Sequence, residues 1–190
     1  KPRGVISQMG DPEGRPTILD YLTKLKFRVF PIGRLDYNSE GILLLTNDGE
    51  LAEKIQKANQ FPRVYRVKVK GHITSEMIDR LSRGMRLANK FVKPHLVRLT
   101  EEYNKKSQIE VVFLNGTNLD VKSYFEQKGF LVDKLVRTSY GHLTLHGLKP
   151  GQYKIVNHSK FEALITQPEL GVLASDKEVE HKPGMLPRDK

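Results

Sequence analysis

The residues best suited to chemistry stand close together in the chain. Arg34 and Asp36 share one charged turn, and residues 38–41 supply the Asn, Ser and Gly that a second tight turn favours. Behind them the continuous apolar run 42–45 reads as a strand buried on both faces. Thr-Asn-Asp-Gly at 46–49 then opens a helix, with Asn47 as N-cap and Glu50 three residues on in the capping-box position. A carboxylate on a turn in front of a buried strand, beside an arginine, is fixed in place yet open to solvent. Asp36 is therefore the first candidate for a reactive carboxylate. The competing reading is a surface aspartate paired with Arg34, the default for an isolated aspartate in a turn.

Other chemistries fit the residues less well. Residues 36–41 imitate the first half of a calcium loop, but position twelve is Asn47 rather than Glu and no helix signal precedes the segment. The six histidines are scattered. His142 and His146 are four apart, but in a stretch that alternates like a strand, so no metal site is read there. Cysteine is absent, which removes disulfides and thiolate ligands and fits a reducing compartment. The second chemical feature is the segment 63–70, Arg-Val-Tyr-Arg-Val-Lys-Val-Lys. As a strand it puts Tyr65, Val67 and Val69 on one face and Arg66, Lys68 and Lys70 on the other with Val64. That basic face is either solvated or a phosphate-contacting surface that positions nucleic acid without reading its sequence. A net charge of +10 favours a polyanionic partner; the alternative is a basic domain with none.

The positioning elements follow from periodicity and punctuation. A short strand spans 1–7, a loop 10–16, and Thr17 caps a short helix toward Leu22 and Leu25. A strand at 27–32 leads into the Asp36 turn, and a helix covers 51–58. After the 63–70 strand, Thr74 or Ser75 starts a helix carrying Met77, Ile78 and Leu81, closed by Gly84. Strands are expected at 95–100 and 108–114 around a polar hairpin at 101–106. A helix at 119–128 stops at Gly129, and a strand follows at 130–137. Segments 143–145 and 152–156 flank a turn at 149–151. Strands outnumber helices and several neighbours are joined by short loops. This predicts an α+β fold, a mainly antiparallel, mixed sheet with flanking helices. A last helical turn or two falls at 159–165. Beyond it Pro, Lys, Asp and Glu dominate, so the chain divides into a domain at 1–158 and a short helix with a flexible tail at 159–190. No run of about 18 apolar residues occurs, so no membrane span is expected, and no secretory signal is visible.

The stretch Gly33-Arg34-Leu35-Asp36-Tyr37-Asn38-Ser39-Glu40-Gly41-Ile42-Leu43-Leu44-Leu45-Thr46-Asn47-Asp48-Gly49 also closely resembles a family signature. It is similar to the RsuA/RluB/RluF class of ribosomal RNA pseudouridine synthases, whose pattern is roughly Gly-Arg-Leu-Asp-x-x-(Ser/Thr)-x-Gly-Leu-Leu-Leu-(Leu/Met)-Thr-Asn-Asp-Gly. Lys1-Pro2-Arg3-Gly4 and Gly14-Arg15-Pro16-Thr17-Ile18-Leu19-Asp20 resemble that class's earlier segments, and 135–145 with 148–151 its closing pattern, so the likeness covers about 1–156. It implies the pseudouridine synthase fold, ribosomal RNA as partner, and no cofactor or metal. The expected protein is a monomer of the cytoplasm or an organelle. The reaction it implies breaks the bond between uracil and ribose, turns the base and rejoins it through carbon. On that likeness Asp36 is the catalytic nucleophile, attacking the sugar's anomeric carbon or the base ring. The uridine must first leave its stack. Tyr65, within Arg63-Val64-Tyr65-Arg66-Val67, lies against the base and assists loss of the ring proton. Arg34 supports the site, and Arg63, Arg66 and Asn118 contact substrate. Members of the class usually carry a small RNA-binding domain upstream. The chain, which starts at Lys1 without an initiator Met, is read as a fragment that begins with the catalytic domain.

One segment departs from the pattern. Where the class has Glu-Gly-Arg-Asn-Arg-Gln-Val-Arg-Arg-Met-Phe, this chain has Asn115-Gly116-Thr117-Asn118-Leu119-Asp120-Val121-Lys122-Ser123-Tyr124-Phe125. Two arginines become Thr117 and Leu119, and Lys122 keeps a charge. In the class a basic residue from this segment pairs with the catalytic aspartate and holds it ionised. Lys122 is expected to do so here, as a point charge without the arginine fork. Two main readings remain open: an RNA pseudouridine synthase, and a catalytically silent RNA-binding domain of the same fold that assists ribosome assembly. A transfer-RNA enzyme is a third.

Overall fold

Alternation along one strand sets the architecture. The computed structural model describes residues 1–58, 61–87, 89–114 and 121–168. A 3-10 turn at Ile18–Tyr21 precedes β1 (Phe30–Ile32), β2 (Glu40–Gly41), β3 (Leu44–Thr46), α1 (Gly49–Lys57) and β4 (Arg63–Lys70). Then come α2 (Ser75–Ser82), β5 (Met85–Leu87), β6 (Lys90–Val92), β7 (Leu96–Tyr103) and β8 (Lys106–Phe113). The chain continues through α3 (Val121–Gln127), β9 (Val132–Tyr140), β10 (Leu143–Thr144) and α4 (His158–Thr166). The main sheet runs β10-β9-β4-β8-β7, with β2 added to β9. Among the described residues, only the β2–β9 pairing is parallel within it. The fold is thus α+β with a mixed, mainly antiparallel sheet, as the residue pattern predicts.

β4 is central because its inner face is apolar from Tyr65 to Val69. Val67 pairs with Ile109 on one side and Leu135 on the other, and all three are buried. Tyr65, Val67 and Val69 join Val111, Phe113 and α3's Tyr124 and Phe125 in one core. Each such side chain contributes about 1.5–3 kcal/mol on burial. A second core gathers Ile32, Ile42, Leu44, Leu51, Ile55, Phe61, Tyr140 and Leu164. Leu164 of α4 is 1% exposed, so this last helix is packed into the body. No helix among the described residues is long and apolar enough to cross a membrane.

Several boundaries differ from expectation. The run 42–45 is not one strand: β2 ends at Gly41 and pairs with β9, while β3 starts at Leu44 and pairs with β1. The chain steps from one sheet to another there, so Leu43 and Leu45 stay half-buried. The N-cap of α1 is Asp48, not Asn47, because Asp48 keeps the extended backbone and its carboxylate accepts from the Leu51 N–H. Only the last three residues of 27–32 form a strand, and 1–7 contributes an isolated bridge, Ile6 to Thr17. The β7 and β8 strands run further toward each other than expected, narrowing their turn to Asn104 and Lys105. The β5–β6 hairpin was not foreseen, and 152–156 is not a strand. Residues 115–120, including Asn118, and the segment 169–190 lie outside the described residues.

Candidate active site

The backbone that carries Asp36 is pinned from several sides. Ser7, only 4% exposed, donates its hydroxyl to the Leu35 carbonyl at 2.6 Å and accepts from the Leu35 N–H at 3.0 Å. Gly4 N–H donates to the Tyr37 carbonyl at 2.8 Å, and Ser39 N–H closes the turn on the Asp36 carbonyl at 3.0 Å. The Lys1 ammonium donates to the carbonyls of Val5 at 2.6 Å, Pro2 at 3.0 Å and Tyr37 at 3.4 Å. Burial pushes that ammonium's pKa down to about 8, although the Asp36 and Glu40 carboxylates oppose the fall. Past the turn, the buried Arg137 grips the Ile42 carbonyl with Nε at 2.9 Å and Nη2 at 2.7 Å. Ile42 N–H in turn donates to the Arg137 carbonyl at 2.9 Å. With its main chain held on both sides, Asp36 keeps an exposed side chain.

That side chain borders a cleft of about 350 Å³. The cleft lies between the turn 36–39, Arg3, the Lys122 and Glu126 positions of α3, and residues 132–135 of β9. Among the described residues, six charged groups line it: Arg3, Asp36, Lys122, Glu126, Asp133 and Lys134. Lys122 pairs with Glu126 at 3.5 Å, Lys134 with Glu40 at 3.0 Å, and Asp133 with Lys106 at 2.8 Å. Leu135 and Val132 supply apolar wall. The lining is thus part apolar, with several charged groups converging on it.

Of the residues singled out in the sequence, Asp36 and Lys122 come together in this cleft. Arg34 is exposed but does not line it. Tyr65 does not line it either; it is 4% exposed, with its ring edge-on to Phe113 at 6.3 Å. Arg63 shares that inner face, because residues 63, 65, 67 and 69 of β4 alternate inward. It is 4% exposed, its guanidinium 4.9 Å from the Phe61 ring centre and 5.0 Å from that of Tyr140. Its Nη1 has no hydrogen-bond partner among the described residues. Arg66 is exposed on the opposite face, near Lys68, whose ammonium stands 4.0 Å over the Tyr103 ring. Ser7, Arg137 and Arg3 were not picked out from the sequence as site residues. Arg137 had a signal, its place in the closing segment, whereas nothing local marks Ser7.

The family model described as RNA pseudouridylate synthase matches residues 1–127. The chain belongs to the RNA pseudouridine synthase family. An uncharacterised RNA pseudouridine synthase of Rickettsia felis is 39% identical over 163 residues, covering 85% of this chain and 70% of that protein. Ribosomal large subunit pseudouridine synthase B of Bacillus subtilis is 41% identical over 154 residues, covering 80% of this chain and 63% of its own length. A crystal structure of a pseudouridylate synthase matches with a TM-score of 0.69 at 24% identity, covering 86% of this chain and 70% of that one. That last likeness speaks to the fold, which is the pseudouridine synthase fold. A relative from Pasteurella multocida, 35% identical over 147 residues and covering 76% of this chain and 43% of that protein, is likewise named ribosomal large subunit pseudouridine synthase B.

Proposed function

We propose that this chain isomerises a uridine in ribosomal RNA to pseudouridine, with Asp36 as the nucleophile. The observation that carries the reading is an exposed carboxylate, on a turn bonded through its neighbours' backbone, beside a cleft that also holds Lys122. The name of the Bacillus subtilis relative supports a ribosomal substrate. The relatives are bacterial, and the proposed setting is the cytoplasm, with the protein acting as a monomer.

In this scheme the uridine is flipped out of its stack into the cleft. The Asp36 carboxylate attacks C1′ of the ribose or C6 of the ring, and the C1′–N1 bond breaks with its electron pair leaving on the uracil. The base turns, a C1′–C5 bond forms and the carboxylate is released. C5 then loses its proton and N1 gains one, so no atom is gained or lost. Lys122 supplies positive charge beside the carboxylate; its exposed pairing with Glu126 is weak enough to exchange when RNA arrives. The resemblance assigns the ring proton to Tyr65, which is 4% exposed and does not line the cleft, so this role requires its ring to be uncovered when RNA binds. Arg66 contacts the RNA backbone from the outer face of β4.

Tritium release from ribosomal RNA transcripts labelled at uridine C5 tests the scheme. Wild type releases tritium, and Asp36→Asn binds the same RNA without releasing any. Tyr65→Phe tests the proton assignment, and transcripts from both subunits identify the target. A second reading, a silent RNA-binding domain, draws on Thr117 and Leu119 standing where the class has arginines. Wild-type protein that binds RNA and modifies none would establish it.

A further inference from the structure

We infer that Arg3 holds a phosphate of the RNA at the cleft, next to the nucleotide on which Asp36 acts; the inference rests on the function proposed above. Charge pairing around the cleft singles it out. Lys122, Lys134 and Asp133 are each engaged by an opposite charge. Arg3 has no ion pair or hydrogen bond among the described residues, and Asp36 has no ion-pair partner within 4.0 Å among them. Among the described residues the cleft therefore offers one cation, Arg3, outside any ion pair, and one carboxylate, Asp36, which interacts electrostatically with the Lys1 ammonium. A phosphate suits the first, and the reacting base or sugar the second.

The two groups are also tied together. Arg3 precedes Gly4, whose N–H bonds to the carbonyl of Tyr37, the residue after Asp36. That bond joins the two turns, so a phosphate gripped by Arg3 lies in the same cleft as the carboxylate. A guanidinium grips phosphate through two parallel bonds, which orients it as well as attracting it. Thr117 and Leu119 cannot neutralise phosphate, and Arg3 supplies a cation that the altered segment lacks. The Arg3 side chain is exposed and makes no ion pair with the carboxylates that share its cleft, Asp36, Glu126 and Asp133.

The test is equilibrium binding of an unmodified ribosomal RNA transcript across a salt titration, run beside steady-state tritium release. Wild type is compared with Arg3→Gln, Arg3→Lys and Arg86→Gln, the last an exposed cation outside the cleft. Arg3→Gln is expected to weaken binding roughly three- to tenfold and to flatten the log–log salt dependence by about one. KM rises by the same factor with kcat nearly unchanged. Arg3→Lys keeps the salt slope and recovers part of the affinity. Unchanged binding by Arg3→Gln, an equal loss in Arg86→Gln, or a fall in kcat alone would overturn the assignment. Failure of the proposed activity is a separate result: the binding comparison stands even if no tritium is released. Wild type that does not bind RNA overturns both.

Discussion

Ser7 and Leu35 form a closed pair in which one hydroxyl serves both main-chain polar groups of one residue, 28 positions away in sequence. The bond lies one residue ahead of the candidate nucleophile. Both partners are buried, so water cannot replace the hydroxyl. Ser7→Ala leaves a buried N–H and a buried C=O unpaired, and about 1–3 kcal/mol of stability is lost. Tritium release falls with it because the turn loses its anchor. Ser7→Thr retains the hydroxyl and most of both properties. Urea unfolding and initial rates on the three proteins check this; Ser7→Ala with wild-type stability and rate would refute the anchoring role.

Gly41 is the second anchor. Its φ is +134, and a Cβ there would run into the Arg137 carbonyl oxygen and lie 2.5 Å from the Arg137 nitrogen. Those are backbone atoms that cannot swing aside. Gly41→Ala must open the parallel β2–β9 seam and release the Arg137 grip on Ile42. A loss of about 4 kcal/mol or more is expected, with inactive or unfolded protein. Gly49→Ala is the control. It opens α1 with nothing within 4 Å of a new Cβ, and it should gain about 0.5–1 kcal/mol. Thermal melts of the two variants are expected to move in opposite directions.

The difference between these two glycines shows what the residue order could and could not reveal. Strand alternation at 63–70 and the cap at Thr74 depend on neighbours in sequence, and both were legible. The family likeness led to Asp36 and Lys122 together; both line one cleft, but the ion pair of Lys122 is with Glu126 and not with Asp36. Ser7, Gly41 and Arg137 act on partners 28 to 96 positions away, and no local pattern encodes that. The misplaced cap has a similar cause. Asn47 and Asp48 are both good N-caps by type, and the β3–β1 pairing that ends at Thr46 decides between them. Inward-facing Arg63 was missed because arginine is read as a surface residue, whereas here two aromatic rings flank it.

Asp48 makes the α1 start sensitive to acid. Its pKa is held below the ordinary 3.8, first by the Leu51 N–H and then by His158, which lies 3.3 Å away on α4. A depressed carboxylate contributes stability above its unfolded value, and that contribution disappears as pH falls through the lower folded value. Melting temperature should therefore drop more steeply below about pH 4 in wild type than in Asp48→Asn. Asparagine keeps the capping oxygen but cannot titrate. Parallel acid limbs in the two proteins would exclude this coupling between α1 and α4.

The alkaline limb depends on Tyr124, which fixes the helix that carries Lys122. The residue is 0% exposed, its ring edge-on to Phe113 at 5.5 Å, and its hydroxyl donates to the Leu81 carbonyl of α2. Burial pushes its pKa from the ordinary 10.0 up to about 12. A raised pKa means that the folded chain holds the proton more tightly. Its stabilising effect is complete below pH 10 and is lost as pH rises toward 12, because the unfolded chain ionises first. Tyr124→Phe removes the titration and one hydrogen bond. The cost near neutral pH is about 1 kcal/mol, since the Leu81 carbonyl keeps a backbone donor from Gly84. Urea unfolding at neutral and alkaline pH should show wild type losing its advantage over Tyr124→Phe as pH rises past 10, with the curves converging. The aromatic packing survives the change, so α3 keeps its place and tritium release at neutral pH should remain within about threefold of wild type, a difference of under 1 kcal/mol in the barrier.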